Sequence, residues 1–569
     1  MSEITIQQAQ ELLTGPGSPF EIESRTIRGV DTQTWKNAAG SLRDIFLATR
    51  TFGDRTYLVY EDERMSYEEH FFAAARLARI LVDDFGVQKG DRVAIAMRNY
   101  PEWPVCFWAA SLTGAVVVPL NAWWTATELS YGLSDSGSTI LFADGERIQS
   151  LQDHFADLGL NRIIAVRPED TLTAGIDDYQ DIVGQADGDD RLPDVDLEPE
   201  DDATIFYTSG TTGNPKGALG THRNICTNLV SLMYGATLTL LRKGEELPDP
   251  DAPREPLAPL LSVPFFHATG CHSTLVANSM AGNKLVMMHR WNPERALELI
   301  EREKITSFGG VPSMVWQVLE SPSLAGRDTS SIAAVSYGGA PAAPELVSRI
   351  NEHFPLATPG NGYGLTETSS VTTLNSGVDY LRKPDSVGRP VPVCSVKLMD
   401  EPGVPTQPGE IGELWIKGPN VVKGYWNKPE ASTASFQDGW LLSGDLARID
   451  EEGFVYIVDR AKDMLIRGGE NIYCVEVENA LFEHPDVMDA AVVGIPDKVL
   501  GEQVGAVVQL TQGANADEAS LRTFVRHDLA AFKVPLRIQI LSAPLPRNAN
   551  GKILKAAVKE TFLTYLEES

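Results

Sequence analysis

The sequence predicts an α/β fold built on parallel sheets, followed by a smaller α+β unit towards the carboxyl end. Helical and strand patterns alternate through the first long segment, and repeated β-α-β order implies parallel sheets covered by helices. After about Gly453 the pattern changes to short strands and one amphipathic helix. With 569 residues, the chain is long enough for several structural units and needs no disulfide or metal to support a core.

The first elements alternate between amphipathic helices and buried strands. Apolar residues at helical spacing in FFAAARLARIL predict one buried helix face, formed by Phe72, Leu77, Ile80 and Leu81. RVAIAM from Arg92 has the pattern of a short buried strand, and a helical stretch follows from Pro101. The strand-like runs VVVPL and TILFAD then flank a helix that opens with a capping box from Thr125 to Glu128.

The strand-like run FVYIVDR is followed by a polar connector, AKD. The smaller unit after it contains two strand-like runs, AAVVGI and VGAVVQL, and an amphipathic helix with Leu521, Phe524, Val525 and Leu529 on its apolar face. Basic residues accumulate near its end, where only Asp528 opposes them: Arg522, Arg526, Lys533, Arg537, Arg547, Lys552, Lys555 and Lys559. Two interpretations stay open for this basic stretch. It either meets an anion or is a solvated helix and loop.

Charge and cysteine content restrict the partners and the compartment. The formal net charge of -30 disfavours nucleic acid and anionic lipid as partners, so an anionic ligand must be held by local donors. The five cysteines are odd in number and scattered without a CxxC pair, which indicates a reducing, cytoplasmic environment. The amino end lacks a signal-peptide pattern, and the longest apolar run is interrupted and too short to span a bilayer.

The strongest local motif is YTSGTTGNPKG, residues 207–217, which follows the strand-like run ATIF. Its glycines let backbone N–H groups approach phosphate oxygens, its hydroxyl side chains add donors, and Lys216 adds a positive charge. The motif is not a Walker A loop, because Pro215 occupies the second glycine position and Gly217 replaces the magnesium-binding hydroxyl. The composition predicts a triphosphate-binding loop that does not use the P-loop NTPase mechanism. A turn without a ligand is the alternative.

Together with later motifs, this loop resembles the signature of the adenylate-forming superfamily, which includes acyl- and aryl-CoA synthetases. The matching motifs occur in the expected order from about Thr56 to Lys555. The resemblance implies a large AMP-binding domain at 1–459 that contains a β-barrel-like subdomain, a hinge at 460–463 and a small mobile domain at 464–569. It also implies ATP, Mg²⁺ and coenzyme A as cofactor and co-substrates.

The resemblance assigns the nucleotide-binding residues by position. For the phosphates it implies Thr208, Ser209, Gly210, Thr211, Thr212, Gly213 and Lys216. The adenine segments are YGGAP, with Gly338, Gly339, Ala340 and Pro341, and NGYGLTE, with Asn361, Gly362, Tyr363 and Gly364. Asn361 would bond the amino edge of the base and Tyr363 would stack on it. Asp445 would bind the ribose hydroxyls, with Arg460 as its companion.

Four residues are expected to act on the reacting groups. His267 in PFFHATG would lie beside the substrate carboxylate, and Thr366 would touch the α-phosphate. Glu367 would hold the magnesium ion, since a hard cation that bridges phosphate oxygens prefers a carboxylate ligand. Lys552 in PRNANGKILK would reach the substrate carboxylate and a phosphate oxygen. Taken alone, a histidine between Phe and Ala is more often a packed core residue.

The resemblance also implies a two-step reaction with a domain rotation between the steps. The carboxylate first attacks the α-phosphorus, pyrophosphate leaves, and the thiol of coenzyme A then attacks the acyl adenylate. The small domain would rotate about Lys462, and Gly468 and Gly469 would then line the pantetheine passage, where glycine removes side-chain bulk.

The acid itself is restricted only in class. Acetate- and propionate-activating relatives carry tryptophan at the position of Gly364, so glycine here predicts an open pocket for a larger acid. The apolar candidates are Phe265, Phe266, Val311, Met314 and the stretch near Tyr337, which favour a medium- or long-chain fatty acid or a bulky aryl or alicyclic acid. The alternatives are loading of an acyl carrier protein, a luciferase-like oxygenase and a non-enzymatic nucleotide-binding protein. A homodimer is left open.

Overall fold

The computed structural model describes residues 4–184, 188–208, 214–247, 255–340, 344–401, 403–407, 409–468, 470–511, 513–548 and 551–568. In chain order the α-helices are α1 (Ile6–Thr14), α2 (Leu42–Thr49), α3 (Tyr67–Asp83), α4 (Glu102–Leu112), α5 (Ala126–Ser136), α6 (Gly145–Leu151), α7 (Tyr179–Val183), α8 (His222–Lys243), α9 (Ala277–Ala281), α10 (Pro293–Glu303), α11 (Pro312–Leu319), α12 (Pro344–His353), α13 (Gly377–Arg382), α14 (Pro429–Ser435), α15 (Cys474–Phe482), α16 (Glu518–Asp528) and α17 (Lys555–Glu568). A π-helix, Thr269–Val276, runs directly into α9.

The strands, again in chain order, are β1 (Ile22–Ile27), β2 (Val30–Trp35), β3 (Thr56–Tyr60), β4 (Glu63–Ser66), β5 (Arg92–Ala96), β6 (Val116–Pro119), β7 (Ile140–Asp144), β8 (Arg162–Val166), β9 (Ile176–Asp178), β10 (Asp202–Thr208), β11 (Lys216–Thr221), β12 (Leu260–Leu261), β13 (Leu285–Met287), β14 (Ser307–Gly310), β15 (Ala334–Gly338), β16 (Thr358–Tyr363), β17 (Thr373–Ser376), β18 (Arg389–Pro390), β19 (Ser395–Glu401), β20 (Val404–Pro405), β21 (Gly412–Lys417), β22 (Phe436–Gln437), β23 (Trp440–Ile449), β24 (Val455–Arg460), β25 (Leu465–Arg467), β26 (Glu470–Ile472), β27 (Val487–Asp497), β28 (Gly501–Leu510) and β29 (Arg537–Leu541).

Two lobes of parallel sheet form the first two thirds of the chain. One sheet has the order β11-β10-β6-β5-β7-β8-β9 and is parallel throughout except between β10 and β11. The strands β14, β15 and β16 of another sheet are also parallel, and β17 and β18 continue it in antiparallel pairing. The sheet β12-β13-β3-β4 lies next to it, linked by a bridge between Pro259 and Ser307.

An antiparallel sheet and a small α+β unit complete the fold. The sheet has the order β20-β19-β21-β23-β22, with β24 paired to β23, and curls into a half barrel. The carboxyl-terminal unit has the sheet order β26-β25-β28-β27, with β29 parallel to β28, and the helices α15, α16 and α17. Parallel α/β sheets, a barrel-like sheet and a separate α+β unit confirm the predicted fold class.

Local sequence signals explain where several helices begin. The side chain of Thr125 accepts a hydrogen bond from the Glu128 amide, and the Glu128 carboxylate accepts one from the Thr125 amide, so the predicted capping box starts α5. The predicted face of α3 is partly shifted. Leu77 and Leu81 are buried with Phe71, Ala74 and Ala78, whereas the predicted face residues Phe72 and Ile80 are only half-buried. Leu529, expected on the apolar face of α16, lies just after the last residue of that helix.

The longest helix, α8, lies within the fold. Among the described helices it alone is long and apolar enough to cross a membrane, with a mean hydropathy of 1.2 in its most apolar window. Half of that window is buried inside the protein, and α8 packs against α1, α13 and the π-helix. This packing is what a core helix of a folded domain requires.

Candidate active site

The predicted adenine-binding residues lie at the carboxyl ends of parallel strands. In the register of β15 and β16, Tyr337 lies opposite Asn361 and Gly338 lies opposite Gly362. An ideal Cβ on Gly338 would come within 2.4 Å of the Gly362 carbonyl oxygen, so the close approach of the two strands requires glycine there. Ligands of open α/β sheets bind at this edge.

A tight turn after β16 carries Thr366 and Glu367. Its first residues form a short 3₁₀-helix, and the hydroxyl of Thr368 accepts a 2.8 Å hydrogen bond from the Leu365 amide. Ser369 and Ser370 then adopt φ of 53° and 108°, which is rare for residues with a side chain. Strained backbone of this kind persists only where the surrounding structure holds it, and it is concentrated at functional sites.

The same turn corrects the expectation for Gly364. A Cβ at this position would meet the Ser370 carbonyl oxygen rather than open pocket space. The path of the turn requires glycine at this position. The presence of Gly364 therefore does not by itself indicate an enlarged acyl pocket.

The π-helix holds this turn from the other side. The ring of His272, whose pKa burial lowers to about 4, is neutral, and its Nδ1 lies 3.2 Å from the Ser369 carbonyl oxygen, in the position of a donor. The hydroxyl of Ser273 donates a 2.8 Å hydrogen bond to the hydroxyl of Ser370. π-Helical turns are frequent at functional sites. Here the π-helix contacts the two residues with positive φ.

His267 lies two residues before the π-helix and is half-buried. Burial lowers its pKa to about 3, so the imidazole is neutral, and its ring packs 4.8 Å from that of Phe266. Its Nε2 atom is buried without a hydrogen-bond partner among the described residues. A buried nitrogen without a partner suits contact with a bound ligand.

Both ends of the predicted phosphate loop are anchored. The hydroxyl of Thr208 donates a 3.3 Å hydrogen bond to the Lys216 carbonyl oxygen, and the hydroxyl of Tyr131 donates one of 3.2 Å to the Pro215 carbonyl oxygen. Lys216 is the first residue of β11. The predicted residues Ser209, Gly210, Thr211, Thr212 and Gly213, like Pro341 and Gly469 elsewhere, lie outside the described part of the chain.

Tyr425 connects two of the predicted residues and was missed in the sequence. Its hydroxyl donates a 2.7 Å hydrogen bond to Oε1 of Glu367, and the ammonium of Lys216 lies 5.0 Å from the centre of its ring. The aromatic pair in GYWNKPE is the signal that the sequence offers, and it has no spacing that relates it to Lys216 or Glu367. Lys216 and Glu367 therefore belong to one site, although they come from different sheets.

Asp445 and Arg460 lie side by side on adjacent strands of the half barrel. They are paired in the register of β23 and β24, and the Arg460 Nε lies 3.1 Å from Oδ1 of Asp445. The hydroxyl of Tyr363 donates a 2.6 Å hydrogen bond to Oδ2 of the same carboxylate. Burial, followed by the charge of Asp445, raises the pKa of Tyr363 well above its usual value, so this phenol remains a donor.

Lys552, from the small carboxyl-terminal unit, lies close enough to Arg460 and Asp445 to be affected by their charges. Burial, followed by the charge of Arg460, lowers the pKa of Lys552 to about 8, while Asp445 opposes the shift. The pKa of Lys462 is also lowered, first by burial and then by Arg460. Next to Lys552, an ideal Cβ on Gly551 would lie 2.6 Å from Val311, so the lysine loop packs against the end of β14.

Other basic residues of the carboxyl-terminal stretch form ion pairs with acidic residues of the same unit. The ion pairs are Lys533 with Glu476 at 2.7 Å, Arg537 with Glu518 at 3.2 Å, Arg547 with Asp489 at 2.5 Å and Lys555 with Glu478 at 2.8 Å. These pairs show that much of the stretch is structural. Among the basic residues of this stretch, Lys552 lies close to Arg460 and Asp445 of the half barrel.

Three further predicted residues follow strands: Gly339 and Ala340 follow β15, and Gly468 follows β25. Gly339 follows β15 with φ of 75°, and Ala340 after it is half-buried. Gly468, with φ of 62°, donates its amide to the Leu500 carbonyl oxygen at 2.8 Å, in the small unit. Glycine tolerates this left-handed backbone at both turns.

The donor set suits a divalent cation bound together with phosphate. Among the described residues there is no group of three or more His, Cys, Asp or Glu side chains that could enclose a metal ion. Glu367 offers a carboxylate with one oxygen already bonded to Tyr425. A single carboxylate, with phosphate oxygens and water as the other ligands, is the usual way in which Mg²⁺ is held.

Sequence profiles agree with this arrangement. The profile of the AMP-binding enzyme family matches residues 46–426, and that of the AMP-binding enzyme C-terminal domain matches residues 476–552. The chain belongs to the AMP-binding enzyme family. The predicted membership of the adenylate-forming superfamily is confirmed, and the chain is an enzyme, an acid-thiol ligase of the AMP-forming kind.

Named relatives of this family cover almost the whole chain. A feruloyl-CoA synthase of Amycolatopsis sp is 35% identical over 498 residues, which are 88% of this chain and 94% of the relative. A long-chain-fatty-acid–CoA ligase of Bacillus subtilis is 34% identical over 536 residues, 90% of this chain and 92% of the relative. The crystal structure of the o-succinylbenzoate CoA synthetase of Bacillus subtilis, in complex with its acyl-adenylate intermediate, aligns with a TM-score of 0.75 at 31% identity, covering 92% of this chain and 98% of that one.

Proposed function

We propose that this enzyme converts a hydrophobic carboxylic acid into its coenzyme A thioester through an acyl adenylate. The observation that carries the proposal is the position of the Lys552 loop: Gly551 packs on Val311 at the end of β14, and Lys552 lies within the electrostatic influence of Arg460 and Asp445. A carboxylate that attacks the α-phosphorus accumulates negative charge in the transition state. Fixed cationic donors at that point stabilise this charge.

In the first step a carboxylate oxygen forms a bond to the α-phosphorus while the bond between that phosphorus and pyrophosphate breaks. Lys552 would bind both the acid and a phosphate oxygen, and Thr366 would donate to the α-phosphate. The neutral ring of His267, with its unpartnered Nε2, would orient the carboxylate. Lys216 would bind the outgoing phosphates, and Glu367 would hold the magnesium ion that neutralises them.

In the second step the thiol of coenzyme A loses its proton and attacks the acyl carbon, and the bond from that carbon to the phosphate oxygen breaks to release AMP. The domain boundaries proposed from the sequence, with a hinge at 460–463, allow the small unit to move Lys552 away before the thiol enters. Gly468 and Gly469 would then line its passage.

The proposed acid is a medium- or long-chain fatty acid or a bulky aryl or alicyclic acid. Support comes from relatives that are named for ferulate and for long-chain fatty acids. The apolar candidates Phe265, Phe266, Val311 and Met314 are all buried. Phe266 packs on His267 and Val311 packs against Gly551, whereas Phe265 stacks on Trp103 in the core. The proposed location is the cytoplasm, in keeping with five buried cysteines that are all free.

A panel of carboxylic acids tests this function. Ferulate, hexadecanoate, dodecanoate, cyclohexanecarboxylate and acetate are each incubated with enzyme, ATP, Mg²⁺ and coenzyme A, and AMP and the thioester are measured by mass spectrometry. We expect AMP and thioester from at least one of the bulky acids and little from acetate. Parallel reactions with a holo-carrier protein in place of coenzyme A identify the acceptor, and Lys552→Ala is the inactive control. ATP binding without acid-dependent AMP release would refute the proposal.

A further inference from the structure

The segment that contains Tyr425 joins the phosphate-binding strand to the turn of Glu367. The amide of Leu219 in β11 donates to the Gly424 carbonyl oxygen at 2.9 Å, and the amide of Trp426 donates to the Gly217 carbonyl oxygen at 2.7 Å. On the other side, the amide of Val422 donates to the Glu367 carbonyl oxygen at 3.0 Å. These backbone hydrogen bonds fix the segment relative to both elements.

The side chain of Tyr425 is held firmly between them. Its backbone amide donates a 2.8 Å hydrogen bond to the hydroxyl of Ser432 within α14, and its ring packs edge-on against Phe436. The hydroxyl of Tyr425 lies 2.7 Å from Oε1 of Glu367 and donates a hydrogen bond to that carboxylate.

The carboxylate of Glu367 is thereby divided into two different oxygens. Oε1 accepts the 2.7 Å hydrogen bond from Tyr425, and the described residues place no donor on Oε2. A hydrogen bond to one oxygen restricts the rotation of a carboxylate and leaves the other oxygen available to bind a cation. The ring of Tyr425 also attracts the ammonium of Lys216 through its π face, at 5.0 Å from the centroid.

We infer that Tyr425 is a positioning residue that sets Glu367 for a divalent cation and Lys216 for the phosphates at the same time. The inference rests on the proposed function, because it takes Glu367 as the ligand of the magnesium ion. Residues that orient a metal ligand typically change metal affinity 10- to 100-fold when they are removed, a range of about one to two orders of magnitude. Tyr425 links the two halves of the proposed Mg·ATP site through one side chain.

The test separates the hydroxyl from the ring. Tyr425→Phe retains the ring and its contact with Lys216 and removes only the hydrogen bond to Glu367. Mn²⁺ binding to the enzyme with a non-hydrolysable ATP analogue is measured by electron paramagnetic resonance, and Mg²⁺ is titrated in acid-dependent pyrophosphate release. We expect Tyr425→Phe to bind Mn²⁺ about 10- to 100-fold more weakly, with metal-free binding of the analogue unchanged. Tyr456→Phe, which removes a 3.0 Å hydrogen bond to Asp450 in the same half barrel, is the matched control and should bind Mn²⁺ like wild type.

Glu367→Gln distinguishes the two ways in which the inference could fail. Weak Mn²⁺ binding in both Glu367→Gln and Tyr425→Phe supports the inference. Weak binding in Glu367→Gln with wild-type binding in Tyr425→Phe overturns the role of Tyr425 and leaves the metal role of Glu367 intact. Wild-type binding in both variants overturns the metal role itself and, with it, the inference for Tyr425.

Discussion

The backbone leaves no room for a side chain between Gly364 and Ser370. An ideal Cβ on Gly364 would lie 1.4 Å from the Ser370 carbonyl oxygen, so any larger residue must displace the turn of residues 366–370. That turn presents the proposed α-phosphate and metal-binding side chains. Gly364 therefore affects catalysis through the path of the backbone.

We expect Gly364→Ala to lower adenylation strongly while the protein stays folded. A displacement of about 1 Å in a catalytic group can cost roughly 100-fold in rate, and the required shift is at least of that size. Acid-dependent exchange of pyrophosphate into ATP measures the first step directly. Gly326→Ala is the control, since nothing lies within 4 Å of a Cβ at that position. If Gly364→Ala exchanged pyrophosphate at the wild-type rate, the turn could move without loss of adenylation, and the prediction would be wrong.

Local rules allowed much of the scaffold to be predicted from the sequence. The capping box at Thr125 needs only residues that are three apart, and the β-α-β alternation that predicts a parallel sheet is visible within single segments. The individual catalytic assignments needed more than periodicity. They came from the resemblance of ordered motifs to a known superfamily.

Contacts across the chain explain what was missed. Tyr425 and Glu367 are separated by 58 residues in the sequence. They come into contact because the segment around Tyr425 lies along β11, which precedes it in the chain by some 200 residues. The conflict at Gly364 depends on positive φ at Ser369 and Ser370, and serine does not signal that conformation in a sequence. Such relationships follow from the three-dimensional path of the chain and have no local pattern.

Lys552 should show an unusual pH dependence in the absence of substrates. Because burial and Arg460 lower its pKa to about 8, its amine loses its proton as the pH rises through about 8. We expect labelling by an N-hydroxysuccinimide ester to rise with a midpoint near pH 8, as quantified by peptide mass spectrometry. Mg·ATP should suppress the labelling, because phosphate stabilises the ammonium and covers it. A midpoint above pH 10 would contradict the lowered pKa.

Replacement of the same lysine separates chemistry from folding. Lys552→Ala should abolish pyrophosphate exchange, since it removes the ammonium that is proposed to bind the acid and a phosphate oxygen together. Its melting temperature should remain close to that of wild type, because the ion pairs of the neighbouring basic residues stay in place. Lys552→Arg keeps the charge with a different shape and serves as the comparison. Near-wild-type exchange in Lys552→Ala would remove the residue from the proposed mechanism.

The hinge proposed at Lys462 predicts that the two half-reactions can be uncoupled. Lys462 lies in the turn between β24 and β25, and proline would fix its φ and also restrict Ala461 before it. We expect Lys462→Pro to retain acyl-adenylate formation and to lose thioester formation. Lys462→Ala, which leaves φ free, should perform both steps. Single-turnover assays with and without coenzyme A measure the steps separately, and an equal loss of both steps would count against a hinge at this residue.

Asp459, just before the proposed hinge, predicts a pH-dependent component of stability. The carboxylate is 2% exposed, accepts hydrogen bonds from the Arg460 and Cys474 amides, and thereby joins β24 to the first residue of α15. Burial raises its pKa from 3.8 to about 6, against the opposing charge of Lys555. The folded protein therefore binds this proton more tightly than the unfolded chain does.

The sign of the effect follows from that difference. Between about pH 4 and pH 6 the native state holds more protons at Asp459 than the unfolded state, so this residue's contribution to stability falls as the pH rises, by about 3 kcal/mol across the window. Asp459→Asn cannot titrate, and its urea midpoint relative to wild type should increase from pH 4 to pH 6 and then stay constant. Asp62→Asn, at a fully exposed side chain, provides the control and should show no such change. If the urea midpoints of Asp459→Asn and wild type changed with pH in parallel, the pKa of Asp459 would be the same in the folded and the unfolded protein, and the prediction would be wrong.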